Sequence, residues 1–280
     1  MLRFVSKLKK KLGYIKRGLF GFVIDIIERT PKISADIEKT IVGKSVENRP
    51  IEYYQIGQGT TKLMFMAGIH GNEVGTVKLV KHLINFLVVE NQGLKNRFTF
   101  FVIPRLNPDG DALARKNPDY FRGGRIGRFN ARRVDLNRNF ETPSFKKESI
   151  YSFGKRYQEK EKVYCGEYGN SEPETKAFTD LIFKENIKII FAFHNAGRDV
   201  MGNNLDLSQK LTRVYADKSR FRFVPNQEWV ELQQSGTLKE WSEIHNIAYV
   251  EIEGSTRWGS DWKTQKEAIR ATIEINESIL

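Results

Sequence analysis

The chain has 280 residues, of which 40% are hydrophobic and 29% charged. That length and balance suit one large soluble domain with a substantial core, and no apolar run approaches the roughly 20 residues of a spanning helix. The formal net charge of +12 leaves nucleic acid, anionic membranes and acidic substrates open as partners, while the single cysteine, Cys165, excludes an internal disulfide and reads as a small buried side chain.

Residues 1–30 interleave Arg3, Lys7, Lys9, Lys10, Lys11, Lys16 and Arg17 with Leu2, Phe4, Val5, Leu8 and Leu12. Asp25 interrupts the apolar stretch 18–27, which argues against a cleaved signal peptide. The expectation is a basic amphipathic segment packed on a single domain of residues 31–280; a peripheral membrane contact is the alternative. Cytoplasm is the expected compartment.

Residues 50–57 and 62–67 read as strands, the second apolar on both faces. Helical spacing of Val77, Val80, Ile84 and Leu87 follows over 73–89, then a buried strand over 98–103 stopped by Pro104. Residues 106–141 are rich in Gly, Arg, Asn and Asp and read mostly as loop. Ser171 and Glu174 form a candidate capping box for a helix running to about Asn186. A strand over 187–193, a short helix over 236–245, a strand over 248–253 and a helix over 263–279 complete the pattern. Alternating strands and helices predict an α/β fold, a three-layer α/β/α sandwich with a mixed, mainly parallel central sheet. Ligands in such folds sit at the carboxyl ends of the strands.

The polar motifs fall where that rule wants them. His70 and Glu73 form His-x-x-Glu directly after a strand, and His194 closes another. Imidazole nitrogen and carboxylate oxygen are zinc donors, and a catalytic zinc site takes three protein ligands with one open position. His82 lies inside a helix and His245 closes one, so both read as structural. In the stretch 132–140, Arg138 beside Asn137 is a candidate clamp for a substrate carboxylate, because a guanidinium fork matches a carboxylate through two parallel hydrogen bonds. The competing reading of this arginine-rich stretch, with Arg122, Arg125 and Arg128, is a nucleic-acid patch. No P-loop, zinc-finger pattern or aromatic-interleaved basic motif accompanies it, so no nucleic-acid partner is expected.

HGNE at 70–73, NPDG at 107–110, VDLNRNF at 134–140, SEPET at 171–175 and FHNAG at 193–197 come in the order seen in zinc carboxypeptidases. From about Val42 to Trp258 the chain resembles the carboxypeptidase A-like metallopeptidases, and within them the bacterial branch that includes murein peptide amidases. The resemblance implies one zinc ion per chain on His70, Glu73 and His194. It implies that Asp135 holds the His70 imidazole, that Asn137 and Arg138 hold the substrate's terminal carboxylate, and that Arg128 stabilises the oxyanion. The general base falls at Glu253 or Glu251. Strand alternation puts both on one face. Glu253 lies nearer the carboxyl end, with the family's threonine falling at Glu251, whereas the register of Arg257-Trp258-Gly259 fits Glu251. The tyrosine of the digestive enzymes' mobile loop falls at Leu232, and Lys239 falls near the specificity position, which suggests a preference for an acidic side chain. The implied activity is a zinc metallocarboxypeptidase, with peptidoglycan-derived muropeptides among the candidate substrates. An amidase or deacylase acting on small N-acyl amino acids is the alternative.

Overall fold

The computed structural model describes residues 21, 23–24, 27–34, 37–89, 93–117, 125–153, 159–230 and 234–277. Its strands are β1 (Lys39–Lys44), β2 (Pro50–Ile56), β3 (Thr61–Ala67), β4 (Phe98–Ile103), β5 (Glu148–Phe153), β6 (Glu159–Tyr164), β7 (Ile189–Asn195), β8 (Asp199–Gly202), β9 (Arg222–Phe223) and β10 (Ala248–Gly254). Its helices are α1 (Val74–Val89), α2 (Leu94–Arg97), α3 (Pro108–Lys116), α4 (Pro173–Lys184), α5 (Asp206–Ser219), α6 (Asn226–Val230), α7 (Leu238–Ile244) and α8 (Trp262–Glu277).

Eight strands form one mixed sheet in the order β1-β2-β4-β3-β7-β10-β8-β9, and β5 and β6 pair as a separate hairpin. The central strands β4, β3, β7 and β10 run parallel. The chain leaves β3 for β4 on one side and returns as β7 on the other, so the order of connection reverses between β3 and β7. Such a switch point opens a crevice outside the carboxyl ends of the strands.

Two hydrophobic layers cover the sheet, as the all-apolar central strands require. One gathers Phe65, Phe100, Phe191, Phe193, Val250 and Ile252. The other gathers Met64, Met66, Phe101, Ile190, Ala192 and Tyr249. Phe65 is fully buried and stacks on Phe191 with ring centroids 5.0 Å apart. Burying one such ring contributes about 1.5–3 kcal/mol.

Two local expectations are corrected. Residues 106–141 are not mostly loop at their start: α3 begins at Pro108, and the N-cap Asn107 accepts from the Gly110 N–H at 2.8 Å. The Asn-Pro-Asp-Gly composition that reads as a turn is also a helix start, with proline in the first turn. A 3-10 turn over Leu136–Arg138 follows, N-capped by the Asp135 side chain. The Ser171–Glu174 capping box does not form, because the cap of α4 is Glu172, without a side-chain cap bond. Ser171 Oγ instead accepts from Asn139 and donates to Glu172, while Glu174 reaches Asn130 and the Val46 N–H. Tertiary partners take the atoms the local motif would have used. The helix stops at Lys184, and Asn186 turns the chain with φ 52°.

Most of residues 1–30 lie outside the described residues. Of those described, Ile24 packs on the Val74–Ala114–Trp258 cluster. No helix among the described residues is long and apolar enough to cross a membrane.

Candidate metal and substrate site

β3, β7 and β10 end side by side. Beyond β3, Gly68 turns the chain with φ +64°. A Cβ on Gly71 would stand 2.1 Å from the Asp111 nitrogen, so only glycine lets this loop lie against the start of α3. The loop delivers His70, and Glu73 stands just before α1. His194 is the penultimate residue of β7, and in the parallel register Glu253 of β10 lies opposite it.

Donor atoms of His70, Glu73 and His194 all lie within 4.8 Å of one another, and the three residues are buried. His70 Nδ1 is 3.0 Å from Glu73 Oε1 and 3.3 Å from His194 Nδ1. His194 Nδ1 is 3.5 Å from Glu73 Oε2. The other nitrogen of His70, Nε2, lies 3.2 Å from Asp135 Oδ1. That contact orients the ring so that Nδ1 faces the shared point, the usual carboxylate support of a metal-binding histidine. Two imidazole nitrogens and a carboxylate aimed at one buried point are a donor set that suits zinc. Burial disfavours the charged form of Glu73, but His70 and His194 hold its pKa well below the usual carboxylate range. Burial likewise opposes the charge of His194, but Glu251 and Glu73 outweigh it and raise the imidazole to about 9.

Two arginines of the 128–138 stretch, Arg128 and Arg138, turn inward, whereas Arg132 and Arg133 are exposed. Arg128 is 5% exposed and grips Asp135 Oδ2 through Nη2 at 2.9 Å and Nε at 3.1 Å. Its Nη1 is 3.7 Å from Glu73 Oε1. Burial opposes the charge of Asp135, yet Arg128 and His70 keep it ionised, well below its ordinary pKa. Arg138 is 3% exposed and donates from Nη1 to the Asn137 carbonyl at 2.7 Å, and its Nε has no hydrogen-bond partner among the described residues. Asn137 accepts from the Leu238 N–H at 3.2 Å, which seats α7 against the Asn137–Arg138 pair. Arg125 pairs with Glu161, and Arg122 lies outside the described residues.

The two glutamates of β10 share a face but not an environment. Burial raises Glu253 to about 8, and the charges acting on it are His194, Glu73, Glu251 and Arg128. Glu251 is 3% exposed and accepts from the Tyr249 hydroxyl at 2.5 Å. The charge of Glu251 acts on Arg138 and on Lys239, itself 7% exposed, and it also acts on His194, more strongly than that of Glu253 does. Both glutamates therefore act on the metal-ligand group, and Glu251 acts on the Arg138 side of the crevice as well. Strand alternation alone could not separate them.

Sequence reasoning passed over Asn107. Its side-chain amide donates to the Ile69 carbonyl at 3.3 Å and the Arg128 carbonyl at 3.2 Å, tying the His70 loop to the Arg128 loop. Its place in NPDG was the only signal. It also passed over Asn130, whose Oδ1 accepts from the Arg132 and Val134 N–H groups while its amide donates to Glu172 and Glu174. The remaining histidines stand apart: His82 stacks on Trp262, and His245 Nδ1 contacts the Trp241 carbonyl. Burial raises the Cys165 thiol to about 12, which removes it as a nucleophile near neutral pH. Leu232 lies outside the described residues.

A family profile described as zinc carboxypeptidase matches residues 25–275, and the chain belongs to that family. Among curated relatives it is similar to carboxypeptidase Z of Rattus norvegicus, 28% identical over 56% of this chain and 27% of that one. It is also 28% identical to gamma-D-glutamyl-L-diamino acid endopeptidase 1 of Lysinibacillus sphaericus, over 70% of this chain and 55% of that one. Murein peptide amidase A of Vibrio campbellii matches at 28% over 61% of this chain and 63% of the relative. The chain therefore spans less than two thirds of each of these relatives. The murein-tripeptide amidase structure from Escherichia coli O157 shares the fold, with a TM-score of 0.64 and 20% identity over 88% of this chain and 92% of that one.

Proposed function

We propose that the chain hydrolyses a peptide bond next to a free carboxylate, with one zinc ion held by His70, Glu73 and His194. The observation that carries this is the convergence of three buried donors, with a buried arginine, Arg138, whose Nε has no hydrogen-bond partner among the described residues. When bound, zinc supplies Lewis acidity, which polarises a carbonyl and makes water nucleophilic near pH 7. Asp135 fixes the His70 ring. Arg138 and Asn137 hold the terminal carboxylate and so place the scissile bond, a large part of the rate gain in any hydrolase. Arg128, preorganised by Asp135, supplies positive charge for the oxyanion. Glu253 takes the proton of the attacking water and passes it to the leaving amine, a task for which a pKa raised toward neutrality is suited.

Lys239 and Glu251 give the Arg138 side of the crevice one further cation and one anion. Lys239 favours a C-terminal residue carrying a second carboxylate, and Glu251 beside it accepts an ammonium group. A diamino acid with its own carboxylate offers both charges. One similar protein is named a murein peptide amidase and another a gamma-D-glutamyl-L-diamino acid endopeptidase, which supports muropeptides as the substrate class. Elemental analysis of the purified chain and a panel of peptides with free or amidated C-termini, muropeptides included, tests the reading. Stoichiometric zinc and cleavage of free-carboxylate peptides alone is the expected result. Absence of zinc after incubation with the metal, or indifference to amidation, overturns it.

A further inference from the structure

Behind the metal ligands lies a loop that the mechanism does not use. It follows β10 and spans residues 255–261, tied to itself by the Ser255 N–H donating to Asp261 Oδ2 at 2.6 Å and the Gly259 N–H to Thr256 Oγ1 at 2.9 Å. Its inner side presses on the first turn of α1. The Gly75 N–H donates to the Arg257 carbonyl at 2.7 Å, and a Cβ on Gly75 would stand 2.2 Å from the Gly259 carbonyl oxygen. The same missing Cβ would meet the Asn195 amide nitrogen at 2.7 Å. Asn195 in turn donates its backbone N–H to Glu73 Oε2 at 3.1 Å. Loop, helix start and β7 end are thus wedged around the residue after next to Glu73.

The outer side of this loop is held by residues from the N-terminal stretch. Glu28 accepts from the Ser260 N–H at 2.9 Å with one carboxylate oxygen and from the Ser260 hydroxyl with the other. A Cβ on Gly21 would lie 2.7 Å from the Trp258 indole, so the backbone there rests directly on the ring. Ile24 packs against the cluster of Val74, the residue that follows Glu73, with Ala114 and Trp258. Contacts from Gly21, Ile24 and Glu28 therefore close on a loop that braces the start of α1.

We infer that Glu28 is a positioning residue for the metal site, acting through Ser260 and the 257–260 loop on Gly75 and thereby on Glu73. This rests on the reading of His70, Glu73 and His194 as zinc ligands. A ligand carboxylate delivered by a helix start binds well only if that start is fixed, because supporting groups set ligand orientation. Gly21, Ile24 and Glu28 are in this sense supports of the site rather than an appendage to it.

The test uses the full chain, wild type and variants, and reads zinc affinity by competition with a chelator alongside the melting temperature of the metal-free protein. Glu28→Gln keeps one acceptor and loses the other; Glu28→Ala loses both; Ser260→Ala removes the hydroxyl end. About tenfold weaker zinc binding is expected for Glu28→Ala, the lower end of the effect for groups behind metal ligands, with a smaller loss for Glu28→Gln. Ser260→Ala should add little to Glu28→Ala, since both break one contact. A merely structural clasp would lower the melting temperature and leave zinc affinity unmoved. Affinity within about twofold of wild type in Glu28→Gln and in any Glu28→Ala that folds overturns the inference. No zinc on the wild type overturns it together with the reading on which it rests, and the wild-type measurement separates the two failures.

Discussion

Along β7, Phe191 and Phe193 point into a layer of aromatic and aliphatic side chains, whereas Ile190 and Ala192, on the opposite face, lead up to His194 and a group of buried charges. β10 repeats the contrast: Val250 and Ile252 face the hydrocarbon layer, and Tyr249, Glu251 and Glu253 face the site. A strand with a period of two can serve both purposes at once, each face answering to its own environment. One face is stable by burial alone. The other carries charge at low exposure, which holds only because each charge has partners: Asp135 between His70 and Arg128, Glu73 between His70 and His194.

That contrast can be broken from either side. His194→Ala should remove bound zinc and with it measurable hydrolysis, leaving a folded chain; zinc retained at wild-type stoichiometry would dismiss the three-ligand site. Glu253→Gln should lower kcat by about a thousandfold with zinc still bound, the scale of a lost general base. Glu251→Gln should move KM more than kcat, and the reverse pattern would exchange the two roles. On the hydrocarbon face, Phe65→Ala should cost roughly 3–5 kcal/mol of stability in denaturant titration, while the folded fraction keeps its zinc. Arg138→Gln should reduce kcat/KM on free-carboxylate peptides by about 100-fold, and C-terminal amidation should then cost nothing further. The smallest effect is expected for Lys239→Ala, a shift of about tenfold in preference away from residues with a second carboxylate, since one hydrogen-bonded charge is worth little more than that. An unchanged ranking of C-terminal residues would remove Lys239 from the pocket.

Much of the site was legible before the fold was known. The three ligand candidates stood out because zinc-donor side chains closed two separate apolar strands. Asp135, Asn137 and Arg138 came with them through motif order. The choice between Glu251 and Glu253 was not legible, because residues two apart on a strand share a face; the structure adds that both charges act on His194 and that Glu251 acts on Arg138 and Lys239 as well. The capping box at Ser171 and Glu174 shows the opposite failure. A sound local pattern lost to Asn139 and Asn130, which offered the same atoms partners from distant chain.

The sequence by itself determined what local chemistry dictates: apolar runs that must be strands buried on both faces, helical spacing between them, and ligand-type residues at strand ends. Only the tertiary structure decided which of those residues share a space. Hydrogen bonds and charge interactions act over a few ångströms, whereas His70, Asp135, His194 and Glu253 are brought together across 183 residues of chain by the sheet order β4-β3-β7-β10. The Glu28–Ser260 contact is the extreme case, joining positions 232 residues apart in a way that no spacing rule could supply.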